Sequence, residues 1–236
     1  MLKKLITVFF NNDNLVKVYS HPRSGTHFLE AFLTKNFYAK KDLSINEVTW
    51  GHWSNRKLNP NGNPYGKLFG SHLFGNLINT PNRKIYIIRD GRSVAYSVWK
   101  TDNFIHKDLQ EISFKEFLRT KIDWHGTPAL ESLPKYTIIE HWHMHVNSWL
   151  ELEKKDNNLL VIYYEDLVSN PYDIYLKIHD KFFSKKKKLY KDQLDTIKKP
   201  VGLLPNKAIK DSWKEVFDKD DIDYFLSIVD ENLNYN

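Results

Sequence analysis

Residues able to do chemistry gather at three places in this sequence, each at the end of an apolar run. The first is the stretch 18–29, Val-Tyr-Ser-His-Pro-Arg-Ser-Gly-Thr-His-Phe-Leu. It reads as a strand, a tight polar loop and the first turn of an amphipathic helix. A Ser-Gly-Thr turn at a helix N-terminus presents backbone N–H groups and hydroxyls to one point in space. Together with the helix dipole and the Arg23 cation they favour an anion of phosphate or sulfate type. The loop lacks the longer Gly-rich span ending in Gly-Lys-Ser/Thr of the Walker pattern. A phosphate-like group is therefore expected here, held differently than in an ordinary ATPase. At the second place, Arg89 ends an apolar run and Ser97 follows eight residues later, about two helical turns on. An Arg at a strand end can turn its fork toward a phosphate; the plainer alternative pairs Arg89 with a structural carboxylate and leaves Ser97 packed in a helix. The third place is His72, just beyond the run 67–71.

These residues need a scaffold that brings strand ends together. Four apolar, β-branched or aromatic runs, 16–20, 67–71, 84–89 and 159–164, read as buried parallel strands. Helical patterns cover 28–36, 92–100, 114–119, 139–153 and 171–183, the last opened by Pro171. Strands alternating with helices imply an α/β fold, a doubly wound parallel β-sheet flanked by helices. Ligands of such sheets lie beyond the carboxyl ends of the strands. That points to Ser20–Thr26, His72, Arg89 and Tyr164–Asp166. Segments 55–66 and 200–206 read as exposed loops.

Composition bounds the answer. The 236 residues suffice for one domain with a full core, and 41% hydrophobic with 14% aromatic content supports one. No internal repeat or interdomain linker is evident, so a single domain over 1–236 is expected. The chain has no cysteine, which excludes disulfides and thiolate metal sites. The net charge of +6 suits an anionic ligand. Lys185-Lys186-Lys187-Lys188 reads as a solvated segment rather than a nucleic-acid patch. The apolar start, residues 1–10, stops at Asn11 without a small-residue cleavage site and reads as a strand or ordered arm. With no apolar run of about 18 residues, a soluble, cytoplasmic protein without membrane insertion is expected.

Five segments, taken in order, resemble the sulfotransferase family. Pro22-Arg23-Ser24-Gly25-Thr26 resembles its phosphosulfate-binding loop, usually Pro-Lys-Ser-Gly-Thr. Arg89 and Ser97 match the spacing of its 3′-phosphate-binding segment. Gly70-Ser71-His72-Leu73 resembles the strand end that carries a catalytic His. His145-Val146-Asn147-Ser148-Trp149 followed by Tyr163-Tyr164-Glu165-Asp166-Leu167 resembles the helix and strand that lead into a Tyr-Glu-Asp motif. Residues 207–217, with Trp213-Lys214 and Phe217, resemble the C-terminal segment. The matches run from about residue 18 to 217.

This resemblance implies a P-loop-like fold and a cytosolic-type enzyme. The implied donor is 3′-phosphoadenosine 5′-phosphosulfate (PAPS) and the implied product adenosine 3′,5′-bisphosphate (PAP). The sulfuryl group would pass in line to a hydroxyl or amine of a small-molecule or carbohydrate acceptor, with no metal and no nucleic acid. The implied general base is His72, since a neutral imidazole can take the acceptor's proton. Arg23, where the family usually has Lys, would stabilise the charge that grows on the leaving phosphate. Arg is always charged and cannot serve as a proton donor. Ser24, Gly25, Thr26 and His27 would hold the 5′-phosphosulfate, with His27 where a second Thr is common. Phe28 would stack on adenine where Trp is usual. Arg89, Ser97 and Lys207 would hold the 3′-phosphate. Tyr164 either contacts adenine or belongs to the core.

Other features have plainer readings. His141-Trp142-His143-Met144-His145 looks like a metal cluster, but only His141 and His145 share a helix face and no Glu completes a zincin pattern. Aromatic packing is expected instead. Trp50-Gly51-His52-Trp53 either lines an acceptor pocket or caps the core. Glu165 and Asp166 are expected to orient loops. Two alternatives to the transferase differ in what they require. A nucleotide or small-molecule kinase would want a Walker Lys-Ser/Thr and a magnesium-holding carboxylate. A catalytically silent nucleotide- or glycan-binding module would not need His72 and Arg23.

Overall fold

The computed structural model describes residues 15–38, 68–101, 105, 107–122, 136–197, 211–230 and 233. The segments 1–10, 50–53, 55–66 and 200–206 singled out above, and Lys207, lie outside the described residues.

Among the described residues four parallel strands form the sheet: β1 (Lys17–Ser20), β2 (Phe69–Ser71), β3 (Lys84–Ile88) and β4 (Leu159–Tyr163). Their order is β2-β1-β3-β4. Val18 pairs with Ile85, and Ile85 with Leu160. The chain leaves β1 for one side and later crosses to the other, so a topological switch point lies between β1 and β3, where parallel sheets open a crevice for ligands.

Alternation along the strands builds two cores. Val18, Ile85, Ile87 and Ile162 face one side and pack with Leu29, Phe32 and Leu33 of α1 (Thr26–Phe37). Tyr19, Tyr86 and Ile88 face the other and pack with Val94 and Val98 of α2 (Gly91–Lys100). Short helices α3 (Lys107–Glu111) and α4 (Phe114–Arg119) follow, then α5 (Ile138–Glu153), whose Trp142, Val146 and Trp149 join the second core. Beyond β4 come α6 (Tyr164–Ser169) and α7 (Pro171–Phe182), and α8 (Lys219–Ile228) lies near the C-terminus. The two central strands, β1 and β3, are buried at every residue, which is why they read as continuous apolar runs.

The helices are set by local chemistry. Thr137 and Glu140 close a capping box on α5: the Thr137 hydroxyl accepts from Glu140 N–H at 3.3 Å and the Glu140 carboxylate from Thr137 N–H at 2.8 Å. The Asp90 carboxylate caps α2 by accepting from Arg92 N–H at 2.8 Å. Two α5 indoles then fasten the strand ends that matter. Trp149 donates to the carbonyl of Leu73 at 3.0 Å, and Trp142 to that of Arg89 at 3.1 Å. The α5 tryptophans thus hold the exits of β2 and β3 in place.

The expected boundaries move by a residue or two. Arg89 follows β3 instead of ending it, and Tyr164 opens α6, whose first turn takes Glu165 and Asp166 at the favourable end of the helix dipole. Helix α1 starts at Thr26, two residues before the expected Phe28. The lysine run 185–188 is solvent-exposed, as expected. Among the described residues no helix is long and apolar enough to cross a membrane.

Candidate active site at the strand ends

The loop after β1 has an unusual backbone. Arg23 (φ 67°) and Gly25 (φ 91°) are both left-handed and flank Ser24. Such an alternation turns successive N–H groups toward one concavity, the arrangement that receives anions. Gly25 is required twice over: its φ disfavours a side chain, and a Cβ there would overlap the Tyr164 ring. Arg23 has no such freedom, and its strained conformation is held by partners. Arg89 Nη1 donates to the Arg23 carbonyl at 3.1 Å, and Arg23 Nε donates to the Ser97 hydroxyl at 3.1 Å. The spacing between Arg89 and Ser97 therefore has a geometric meaning: one grips the backbone of the loop and the other its side chain.

Two guanidinium groups held close together repel. Burial, and then the charge of Arg89, push the Arg23 pKa down to about 10, which leaves it charged at neutral pH. Burial also lowers that of Arg89, while Tyr164, Glu165 and Asp90 counteract it. Arg89 lies over the Tyr164 ring, 4.9 Å from its centroid, and Phe28 meets the same ring edge-on at 5.6 Å. Glu165 holds the adjacent turn, accepting from Asp90 N–H at 3.1 Å. Among the described residues, Arg89 Nη2 and the Ser24 hydroxyl are buried with no hydrogen-bond partner. Orphaned buried donors are uncommon and costly. Here both belong to the residues expected to receive an anion.

His72 sits just past β2, 6% exposed. Its Nδ1 lies 2.7 Å from the Ser20 carbonyl oxygen. A carbonyl only accepts, so Nδ1 carries the hydrogen and Nε2 the lone pair. The Ser20 hydroxyl is 3.2 Å from the same nitrogen and 2.6 Å from the Thr26 hydroxyl, linking His72 to the loop. Burial lowers the His72 pKa to about 4, against the raising effect of the Ser20 carbonyl, so the ring is neutral near pH 7.

Three further histidines, His21, His141 and His145, form a buried group behind the loop. His21 Nδ1 donates to the Pro22 carbonyl at 2.8 Å, which leaves its Nε2 to accept from His141 Nδ1 at 2.9 Å. His145 Nε2 donates to the His72 carbonyl at 3.1 Å, and its Nδ1 accepts from the Tyr86 hydroxyl at 2.8 Å. Burial pushes all three rings far toward the neutral form. Among the described residues no group of three or more His, Asp or Glu side chains is arranged to hold a metal ion. The expected packing role for the 141–145 segment agrees with this geometry.

The structure thus brings Arg23, Ser24, Gly25, Thr26, Arg89, Ser97, His72 and Tyr164 to one end of the sheet, with His27 and Phe28 in the first turn of α1. Sequence reasoning missed the carboxylate of Glu30. It is 1% exposed, and its Oε2 lies 2.9 Å from His27 Nδ1. A His followed three residues later by Glu in a helical pattern was the available signal.

Comparison with known proteins gives the family and the fold. The sulfotransferase domain family matches residues 13–200. Sulfotransferase 2A6 of Mus musculus is 29% identical over 134 residues, 54% of this chain and 40% of that protein, so the chain matches less than half the length of this relative. Among solved structures, mouse sulfotransferase SULT7A1 complexed with PAP superimposes with a TM-score of 0.58 at 16% identity, over 91% of this chain and 83% of that one. Retinol dehydratase in a complex with retinol and PAP gives 0.58 at 17% identity, over 94% and 81%. The domain match covers most of the chain and leads to one conclusion: this chain belongs to the sulfotransferase domain family.

Proposed function

We propose that the chain is a sulfotransferase that uses PAPS as donor and releases PAP. The observation that carries this reading is the pair of orphaned donors, Ser24 Oγ and Arg89 Nη2, beside the charged Arg23 at the β1/β3 switch point. A bound phosphate or phosphosulfate would supply the missing acceptors and relieve the repulsion between the two guanidiniums. The solved relatives complexed with PAP support the same ligand class.

In this reading the loop Arg23–His27 holds the 5′-phosphosulfate, Arg89 and Ser97 hold the 3′-phosphate, and Phe28 and Tyr164 border the adenine. Lys207 is a further 3′-phosphate ligand by resemblance. The donor supplies the sulfuryl group. His72 Nε2 takes the proton of the acceptor hydroxyl or amine, while the Ser20 carbonyl keeps its ring in the required tautomer. An anion in the loop favours the imidazolium that results, so donor binding makes His72 a stronger base than burial alone allows. Arg23 faces the leaving phosphate and stabilises its growing charge. The acceptor is a small molecule or carbohydrate.

Thermal melting tests the donor site. PAP is expected to raise the melting temperature more than ATP with Mg²⁺, and Arg89→Ala to weaken PAP binding at least about tenfold through loss of a charged, partly buried hydrogen-bond donor. Stabilisation by ATP with Mg²⁺ alone would sink the reading in favour of a kinase.

A further inference from the structure

We infer that Trp213, stacked on Arg92, is a positioning residue for Arg89 and so for recognition of the donor's 3′-phosphate; the inference rests on the proposed donor site. Arg89 is followed at once by the turn that opens α2, Asp90-Gly91-Arg92. Whatever holds that turn therefore fixes the point from which the Arg89 side chain sets out. Two holds come from α5 and α6. Trp142 donates to the Arg89 carbonyl at 3.1 Å, and Glu165 accepts from Asp90 N–H at 3.1 Å. The third comes from much later in the chain, beyond the residues 13–200 that match the family.

Asp90 and Arg92 form a clasp within the turn. The Asp90 carboxylate accepts from Arg92 Nε at 3.0 Å and from Nη2 at 2.8 Å, besides capping the helix. Both residues are buried. A carboxylate paired side-on takes the edge of the guanidinium and leaves its flat faces to packing. Trp213 belongs to a 3₁₀ turn over Ser212–Glu215 and meets such a face. The Arg92 guanidinium lies over the indole, 3.9 Å from the ring centroid, while Phe225 of α8 is farther, at 5.5 Å. Cation–π attraction strengthens where water is kept out, and Trp213 is only 7% exposed. The indole is itself backed by rings: Phe217 at 5.6 Å, and behind it Phe114 of α4 at 5.2 Å. Among the described residues Trp213 Nε1 is buried with no hydrogen-bond partner, whereas Trp142 and Trp149 each donate to a carbonyl. A buried N–H left unpaired is costly. A ring kept at that cost is kept for its face. The contacts run from Trp213 to Arg92, from Arg92 to Asp90, and along the backbone to Arg89, whose Nη2 is one of the orphaned donors. Loosening the turn displaces that donor, while Ser24, Gly25 and Thr26 belong to another loop.

Calorimetric titration with PAP and with adenosine 5′-phosphate, which lacks the 3′-phosphate, tests this without turnover. The parent is expected to prefer PAP. Trp213→Leu keeps apolar bulk but no aromatic face. It should weaken PAP binding about fivefold, the scale of one buried cation–π contact, and adenosine 5′-phosphate binding less than about twofold. Trp213→Phe, which restores a face, should recover most of the preference for PAP. Trp213→Leu added to Arg89→Ala should cost little further PAP affinity, because the effect passes through Arg89. Melting temperatures show whether each variant is folded. Where Trp213→Leu fails to fold, Arg92→Lys, which keeps the charge but loses the planar fork, should lower the same preference. Equal loss of both nucleotides, or the same preference in the Leu and Phe variants, would overturn this inference and leave the donor site standing. A parent that binds PAP no better than adenosine 5′-phosphate would overturn the 3′-phosphate assignment with it.

Discussion

Two groups of buried polar side chains meet at the end of β1. One is the loop face, with Arg23, Ser24, Arg89, Ser97 and His72. The other is the imidazole group behind it, His21, His141, His145 and Tyr86. By composition the imidazole group has the richer supply of reactive side chains, three histidines and a tyrosine in contact. Its bonds run between neutral rings and fix their tautomers: Pro22 and His72 carbonyls accept and Tyr86 donates. The loop face differs in charge. It holds two guanidiniums together, a left-handed Arg23 and two donors without acceptors. The proposed chemistry falls where the protein holds cations and donors together, with the neutral cluster packed behind it. His145 shows the link, since its Nε2 fixes the backbone of the residue proposed as base.

The comparison breaks most sharply at His72. His72→Ala is expected to lower kcat by about 10²–10⁴-fold, the range for a positioned general base, while PAP binding stays near the parent value. Assays with PAPS and a responding acceptor decide it. Near-parent turnover would move the base elsewhere.

His145 tests the supporting side. His145→Phe strips the His72 carbonyl and the Tyr86 hydroxyl of their partner. Each buried group left unsatisfied costs about 1–3 kcal/mol, so urea denaturation should show clear destabilisation. The loss in kcat should be smaller than for His72→Ala, because the base remains and only its seat loosens. His145→Gln, whose amide can replace the Nε2 donor, should recover part of both. A kcat loss as large as that of His72→Ala without destabilisation would put His145 in the chemistry itself.

Much of the fold was legible in the sequence. A sheet buried on both faces writes its strands as apolar runs, and Ile85, Tyr86, Ile87 and Ile88 carry little else. The loop was legible because Ser-Gly-Thr before a helix has few other uses. Boundaries slipped where side chains decide them: Glu165 in the first turn of α6 pulls Tyr164 out of the strand. Helix α8 was missed, although Asp218 caps it by accepting from Asp221 N–H at 2.8 Å. The site's long-range contacts were not legible. Arg89 to the Arg23 carbonyl and His21 to His141 join residues 66 and 120 positions apart, and no local pattern encodes such a pairing. The left-handed Arg23 is a consequence of those contacts, so its sequence neighbourhood gives no sign of it.

The smallest expected effect is a slope. Burial holds His72 and His141 neutral down to about pH 4 and 3, and lowers His21 and His145 strongly as well. Unfolding returns each ring to an ordinary value near 6.5. Below that value the unfolded chain binds protons that the folded chain refuses, so stability is full above it and falls as pH drops toward the folded values. Each ring contributes about 1.4 kcal/mol per pH unit within that window. Urea unfolding between pH 7 and 5 should therefore show a steep loss. His141→Asn, whose amide can keep the donation to His21, should differ little from the parent at pH 7 and reduce the slope by about one proton. An unchanged slope would mean that His141 titrates in the folded protein, and that the cluster behind the loop admits protons that its burial is expected to refuse.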